Sequence, residues 1–154
     1  MYFASDILKV FPHKYPFLLI DRIIEHNLGQ HCTALKNISL GEEIFSGHFP
    51  SAPIYPGAYL IEMAFQSSLA MMLDFEMLLS ISNQEKMTLD KDFAPRALQV
   101  KKFSFKKEVS PGDQLLIKAE KQIEAQGKVQ VKVSIFEADN KEEVADGLVI
   151  VGKV

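Results

Sequence analysis

The stretch from Ala58 to Leu79 constrains this chain most. It is the most apolar stretch of the chain, and Pro56-Gly57 opens it. The length is enough for a membrane-spanning helix, but Glu62, Gln66, Asp74 and Glu76 interrupt it. A spanning helix rarely tolerates three carboxylates, so no membrane insertion is expected. The spacing instead predicts a long helix buried on most sides, which needs a layer of other structure around it.

Strands supply that layer. Asp6 to Val10 reads as a short opening helix stopped by Pro12, which pushes the preceding residue out of the helical region. Phe17 to Ile24 and Cys32 to Ile38 read as two strands. Between the second strand and the helix runs a loop, Ser39 to Pro56, rich in Gly, Pro and Ser and long enough to be functional. The polar excursion from Ile81 to Pro95 follows the helix, and from Leu98 onward the pattern becomes a run of strands. Leu115, Ile117, Ala119 and Ile123 alternate with Lys118, Glu120 and Gln122, and Val129, Val131, Val133 and Ile135 repeat the period of two. Ala145 to Val151 makes a last strand, and Pro111-Gly112-Asp113, Gly127 and Asp139-Asn140-Lys141 mark the turns. The expected architecture is α+β: one domain over residues 1–154, an antiparallel sheet wrapped around one long central helix.

Charge and cysteine usage narrow the function. A net charge of -3 argues against a nucleic-acid binder, which carries a basic excess. One cysteine, Cys32, forms no internal disulfide, and Met1 to Asp6 lacks the features of a signal peptide, so a cytoplasmic setting is expected. Four scattered histidines and one cysteine give no metal-ligand spacing, so neither metal nor cofactor is expected.

Two residues stand out for chemistry. His48 lies in Ser46-Gly47-His48-Phe49-Pro50, just before the helix; Glu62 follows fourteen positions later (62 minus 48), among Leu60, Ile61, Met63, Ala64 and Phe65. An ionised carboxylate there is costly, so its pKa should rise or it must find a partner, and Gln66 is in reach one turn on. A neutral imidazole beside a partly protonated carboxyl makes a general base and general acid pair. Pro56 suits the first helical turn and Gly57 leaves its N–H open to a developing oxyanion. On the bare residues, His48 also fits a loop histidine capping a turn, and Glu62 a helix carboxylate facing solvent. Ser67 and Ser68 read as helix-packing residues, His26 and His31 as solvent-side. Met63, Met71, Met72 and Met77 read as core filling or a flexible tunnel lining.

Three blocks carry a resemblance. Pro12-His13-Lys14-Tyr15-Pro16-Phe17-Leu18-Leu19-Ile20-Asp21-Arg22 resembles the N-terminal signature of the hotdog-fold 3-hydroxyacyl-[acyl-carrier-protein] dehydratases. Gly47-His48-Phe49-Pro50, Pro53, Pro56-Gly57, Leu60, Glu62, Ala64 and Gln66 are similar to that family's active-site segment in order and spacing, and Pro111-Gly112-Asp113-Gln114-Leu115 matches a third block. The resemblance implies that His48 abstracts the C2 proton, Glu62 protonates the departing 3-hydroxyl, and the Gly57 amide polarises the thioester carbonyl, with Gln66 and Pro56 in support. Glu rather than Asp as the acid, and no tryptophan in the chain, resemble the dehydratase-only branch. Where housekeeping members carry a basic residue near Ala52 and a methionine near Tyr55, this chain departs. Tyr55 is expected to narrow or polarise the pocket mouth. Arg96 to Val100 also lacks the family's usual aromatic and Gly-containing strand, so a specialised polyene-type pathway stands beside fatty acid synthesis. His13 belongs to the first block and is expected to make a structural hydrogen bond.

Arg96, Lys101, Lys102, Lys106 and Lys107 form a basic cluster that either docks an acidic acyl carrier protein or is a solvated strand face. The resemblance implies a homodimer, or a larger assembly of dimers, with each site built across the interface; pairing with a second, different hotdog chain stays open. So do a hotdog thioesterase and a non-catalytic hotdog partner subunit as alternative functions. A hotdog enoyl-CoA hydratase would carry its Asp and His a few residues apart, unlike this chain.

Overall fold

The computed structural model describes residues 1–81 and 95–152. The chain runs α1 (Ala4–Val10), β1 (Arg22–Asn27), β2 (His31–Asn37), a 3-10 turn (Glu43–Ser46), α2 (Gly57–Met72), α3 (Phe75–Ser80), β3 (Arg96–Phe105), β4 (Gln114–Ala125), β5 (Lys128–Glu137) and β6 (Glu143–Gly152). All strand pairs are antiparallel, in the order β1-β2-β4-β5-β6-β3.

Alternation makes the sheet. In β4 the buried Leu115, Ile117 and Ala119 face inward between more exposed neighbours, and Val129, Val131, Val133 and Ile135 do the same in β5. The β4–β5 hairpin closes through Gln126 and Gly127 at φ 53° and 72°, the two positive-φ positions that a two-residue turn matched to strand twist demands. At Gly147 in β6 an added Cβ would meet the Lys102 carbonyl oxygen at 2.5 Å, so only glycine lets β3 close on β6 there.

The inward faces pack on α2, which contacts every strand. Met63 and Met71 are fully buried, and Ala64, Ser67, Ser68 and Ala70 are small enough to bring the helix backbone close to the sheet. Ser68 Oγ returns its hydrogen bond to the Ala64 carbonyl at 2.7 Å, while Ser67 Oγ is buried without a partner, so both serines are packing residues.

Three expectations change. The long helix is two: α2 stops at Met72 and Asp74 caps α3 by accepting from the Met77 amide at 3.0 Å. Met77 therefore sits exposed on α3, not in the core. The strand expected over 17–24 begins only at Arg22, because the Phe17 carbonyl and Leu19 amide bond to a helix side chain instead of a neighbouring strand. His26 is not solvent-side either: its Nε2 meets the Ala70 carbonyl at 3.0 Å, and its ring packs against Tyr2 and Phe75. The polar excursion from Ile81 to Pro95 lies almost wholly outside the described residues, which resume at Pro95.

Candidate active site

The loop before α2 holds His48 from both sides. Its backbone N–H donates to the carbonyl of Ile44, within the 3-10 turn, at 2.9 Å, and its own carbonyl accepts from the Ile54 amide at 3.1 Å. The ring closes the clamp, with Nδ1 2.7 Å from the Ile54 carbonyl oxygen. A carbonyl only accepts, so Nδ1 carries the hydrogen and the neutral ring presents a bare lone pair at Nε2. The half-buried ring stacks on Phe49, centroids 4.2 Å apart. The next residue but one after the Pro53-Ile54 corner region, Pro56, is the N-cap of α2, one position earlier than expected. Its fixed φ of -62° lets Gly57 begin the helix.

Gly57 is open on one face. Among the described residues its N–H donates to no protein group, as the first amide of a helix has no intrahelical acceptor. A Cβ at this position would lie 3.0 Å from the Phe105 ring, so a side chain here would crowd the space over the amide. His48 and Gly57 line one cavity of about 500 Å³, together with Ile54, Tyr55, Leu60, Phe105 and the segment Lys106 to Val109.

Glu62, the other residue singled out for chemistry, does not line that cavity. Its half-buried carboxyl has a pKa pushed up by burial and drawn part of the way back by a hydrogen bond from Gln66. That bond runs from Nε2 of Gln66 to Oε1 of Glu62 at 2.9 Å. Gln66 is fully buried, and its amide is also gripped by the N-terminal segment. Nε2 donates to the Phe17 carbonyl at 2.8 Å and Oε1 accepts from the Leu19 amide at 2.9 Å. Sequence reasoning found the Glu62–Gln66 pair through its helical spacing but missed the partners at Phe17 and Leu19.

The other singled-out residues divide. Tyr55 is buried at 2% exposure and so does not stand at the pocket mouth; its amide donates to the Val109 carbonyl at 2.8 Å. Among the described residues His13 Nδ1 is buried without a hydrogen-bond partner, its ring near those of Phe11 and Phe17; burial, and then Lys14, lower its pKa. The basic cluster lies along β3 and just beyond it. Lys106 is paired with Glu143 and, at 3.2 Å, Asp146, and Lys107 with Glu137 at 3.0 Å and Glu142 at 2.6 Å. Lys101 donates to Gln130, and Arg96 and Lys102 are exposed. Among the described residues no group of three or more His, Cys, Asp or Glu is placed to hold a metal, and no helix is long and apolar enough to cross a membrane.

An antiparallel sheet curled on one helix, with a histidine held just before the helix and a half-buried carboxyl on it, defines a hotdog-fold domain. Comparison with known proteins agrees. A model of the FabA-like domain matches residues 11–152. The 3-hydroxyacyl-[acyl-carrier-protein] dehydratase FabZ of Thiobacillus denitrificans is 37% identical over 122 residues, 75% of this chain and 74% of its own. The FabZ of Caldicellulosiruptor bescii is 40% identical over 121 residues, 78% of this chain and 77% of its own. Among solved structures, the dehydratase heterocomplex ApeI:P from Xenorhabdus doucetiae shares the fold with TM-score 0.70 at 14% identity, covering 100% of this chain and 93% of that one. Protein smu.793 of Streptococcus mutans, bound to acetyl CoA, shares it with TM-score 0.60 at 16% identity, covering 91% and 94%. The chain belongs to the FabA-like family and stands within it among the FabZ 3-hydroxyacyl-[acyl-carrier-protein] dehydratases.

Proposed function

We infer that this enzyme converts (3R)-3-hydroxyacyl-[acyl-carrier-protein] to the trans-2-enoyl thioester and water, in fatty acid or polyene-type acyl chain synthesis. The observation that carries the reading is the fixed tautomer of His48, whose hydrogen sits on Nδ1 against Ile54 and whose Nε2 is therefore a base. Nε2 takes the C2 proton, and the electrons of that C–H bond form the C2=C3 double bond. The C3–O bond breaks, and the departing hydroxyl takes the proton of Glu62 and leaves as water. The Gly57 amide holds the thioester oxygen while charge gathers on it. A carboxyl raised by burial is suited to the acid's task, because it keeps its proton at a pH where an exposed one has lost it.

The pair is shared between two subunits. Glu62 is not part of the cavity that holds His48 and Gly57, which supports a partner's Glu62 as the acid facing His48. A homodimer, or an assembly of such dimers, provides two equivalent sites. The relatives' substrate carrier is acyl carrier protein, and the exposed Arg96, Lys101 and Lys102 suit so acidic a partner. Cytoplasmic work fits a lone Cys32 thiol buried in the core with its pKa pushed up to about 12.

The test is an assay of the purified chain with 3-hydroxyacyl and acyl thioesters side by side, following enoyl absorbance and free thiol. Enoyl without thiol is the expected result. Thiol release marks a thioesterase, and neither product marks a non-catalytic hotdog subunit.

A further inference from the structure

Tyr55 lies between two cavities. It is one of the residues lining the cavity that holds His48 and Gly57. Its ring stands edge-on to Tyr59, centroids 5.6 Å apart, and 6.0 Å from Phe45. Tyr59 and the neighbours of Phe45 on either side, Ile44 and Ser46, line a second cavity of about 690 Å³, beneath the segment that leads to His48. The far end of the side chain gives the same direction. After burial, the Glu42 carboxylate and, more weakly, Asp21 act on the Tyr55 hydroxyl, and both acids are walls of that second cavity. Among the described residues no partner stands in hydrogen-bonding geometry to the hydroxyl, although Glu42 is near enough to act on it. The residue is 2% exposed, so the side chain is packed away from solvent.

We propose that Tyr55 is the partition between these cavities and fixes how long an acyl chain the His48 cavity accepts. The inference rests on the dehydratase reading: a thioester held at the Gly57 amide places its acyl carbons beside His48, against the Tyr55 ring. With the ring in place the chain meets a wall. Without it the space beyond, apolar along Leu18, Leu19 and Ile44, opens to further methylenes. Each methylene that finds an apolar site strengthens binding about fourfold, so a few added carbons produce a tenfold effect.

The experiment is a series of short-, medium- and long-chain 3-hydroxyacyl thioesters, run with the wild type, Tyr55→Phe and Tyr55→Ala. Tyr55→Ala should raise the ratio of kcat/KM for long over short chains about tenfold or more, chiefly through KM on the long chains. Tyr55→Phe keeps the ring and should keep the wild-type ratio. If Tyr55→Ala does not fold, judged by circular dichroism and Tm, Tyr55→Leu shortens the partition and should shift the ratio the same way. A folded Ala or Leu variant with the wild-type ratio overturns the proposal, as does a Phe variant that shifts it as far as Ala. A wild type that turns over no chain length overturns the dehydratase reading and the proposal with it.

Discussion

Gln66 donates to Glu62 at 2.9 Å with the same nitrogen that donates to the Phe17 carbonyl at 2.8 Å. Glu62 is thereby tied to a segment more than forty residues earlier, and the Leu19 amide holds the other end of the glutamine. Two sequence blocks that look separate form one support for a single carboxyl.

Replacing Gln66 by Met, close in shape, would leave the Phe17 carbonyl and Leu19 amide unsatisfied at a cost of about 1–3 kcal/mol each. A fall in Tm is expected, together with a loss of about 10²-fold in kcat as the acid loses its fixed position. The bond also favours the ionised form of Glu62, so without it the carboxyl's pKa should rise further. Unchanged Tm and kcat in Gln66→Met would remove the supporting role.

The alkaline side of the pH profile of kcat/KM reports the acid. Glu62 must carry its proton, and burial raises its pKa above the usual carboxylate range, so activity should fall as pH rises through that raised value. The same shift bears on stability. A carboxyl whose folded pKa is raised binds more protons folded than unfolded, so stability is lost as pH climbs from the unfolded value through the folded one. Glu62→Gln should therefore gain Tm over the wild type at neutral pH, with the gain shrinking in acid, while losing about 10²–10⁴-fold in turnover. An equal Tm difference at both pH values would show that Glu62 is not the titrating group.

The carrier-docking test is best made on Arg96, Lys101 and Lys102. Lys106 and Lys107 are each engaged with two carboxylates, and reversing them would set like charges against Glu143 and Glu142. Reversal of the first three to Glu should slow turnover of carrier-bound substrate far more than of a short thioester mimic. The difference should shrink with salt, since screening cuts exposed charges off beyond about 10 Å at 0.1 M. Equal losses on both substrates would point to damage at the active site instead.

Much of this was legible in the sequence, for physical reasons. Alternation in β5, and through Leu115, Ile117 and Ala119 of β4, is a period only a strand reads, and Gly127 at their turn was a visible signal. Ile123, expected on the same face, is exposed instead, past the register shift at Lys121. Glu62 among apolar neighbours announced a raised carboxyl, and the spacing to Gln66 announced its partner. The break at Leu73-Asp74 was hidden because the apolar pattern runs through it; the signal was Asp74 itself, a capping residue at the head of a new turn. The segment 17–20 reads as a strand because Leu18, Leu19 and Ile20 make an apolar run, yet the Phe17 carbonyl and Leu19 amide bond to a side chain, which no local period reveals. Lys106 and Lys107 looked like free cations because their acids lie on β5, on β6 and in the turn between, about thirty to forty residues away.

The sharing of His48 and Glu62 between subunits is tested most directly by complementation. His48→Ala and Glu62→Gln chains, unfolded and refolded together or co-expressed with two tags, exchange subunits. In a mixed dimer one site carries both lesions and the other none. Random pairing of equal amounts makes about half the dimers mixed, each with one of two sites restored, so about a quarter of wild-type activity should return. Mixed dimers purified by both tags that stay as inactive as either parent would contradict the shared site and place both residues within one chain.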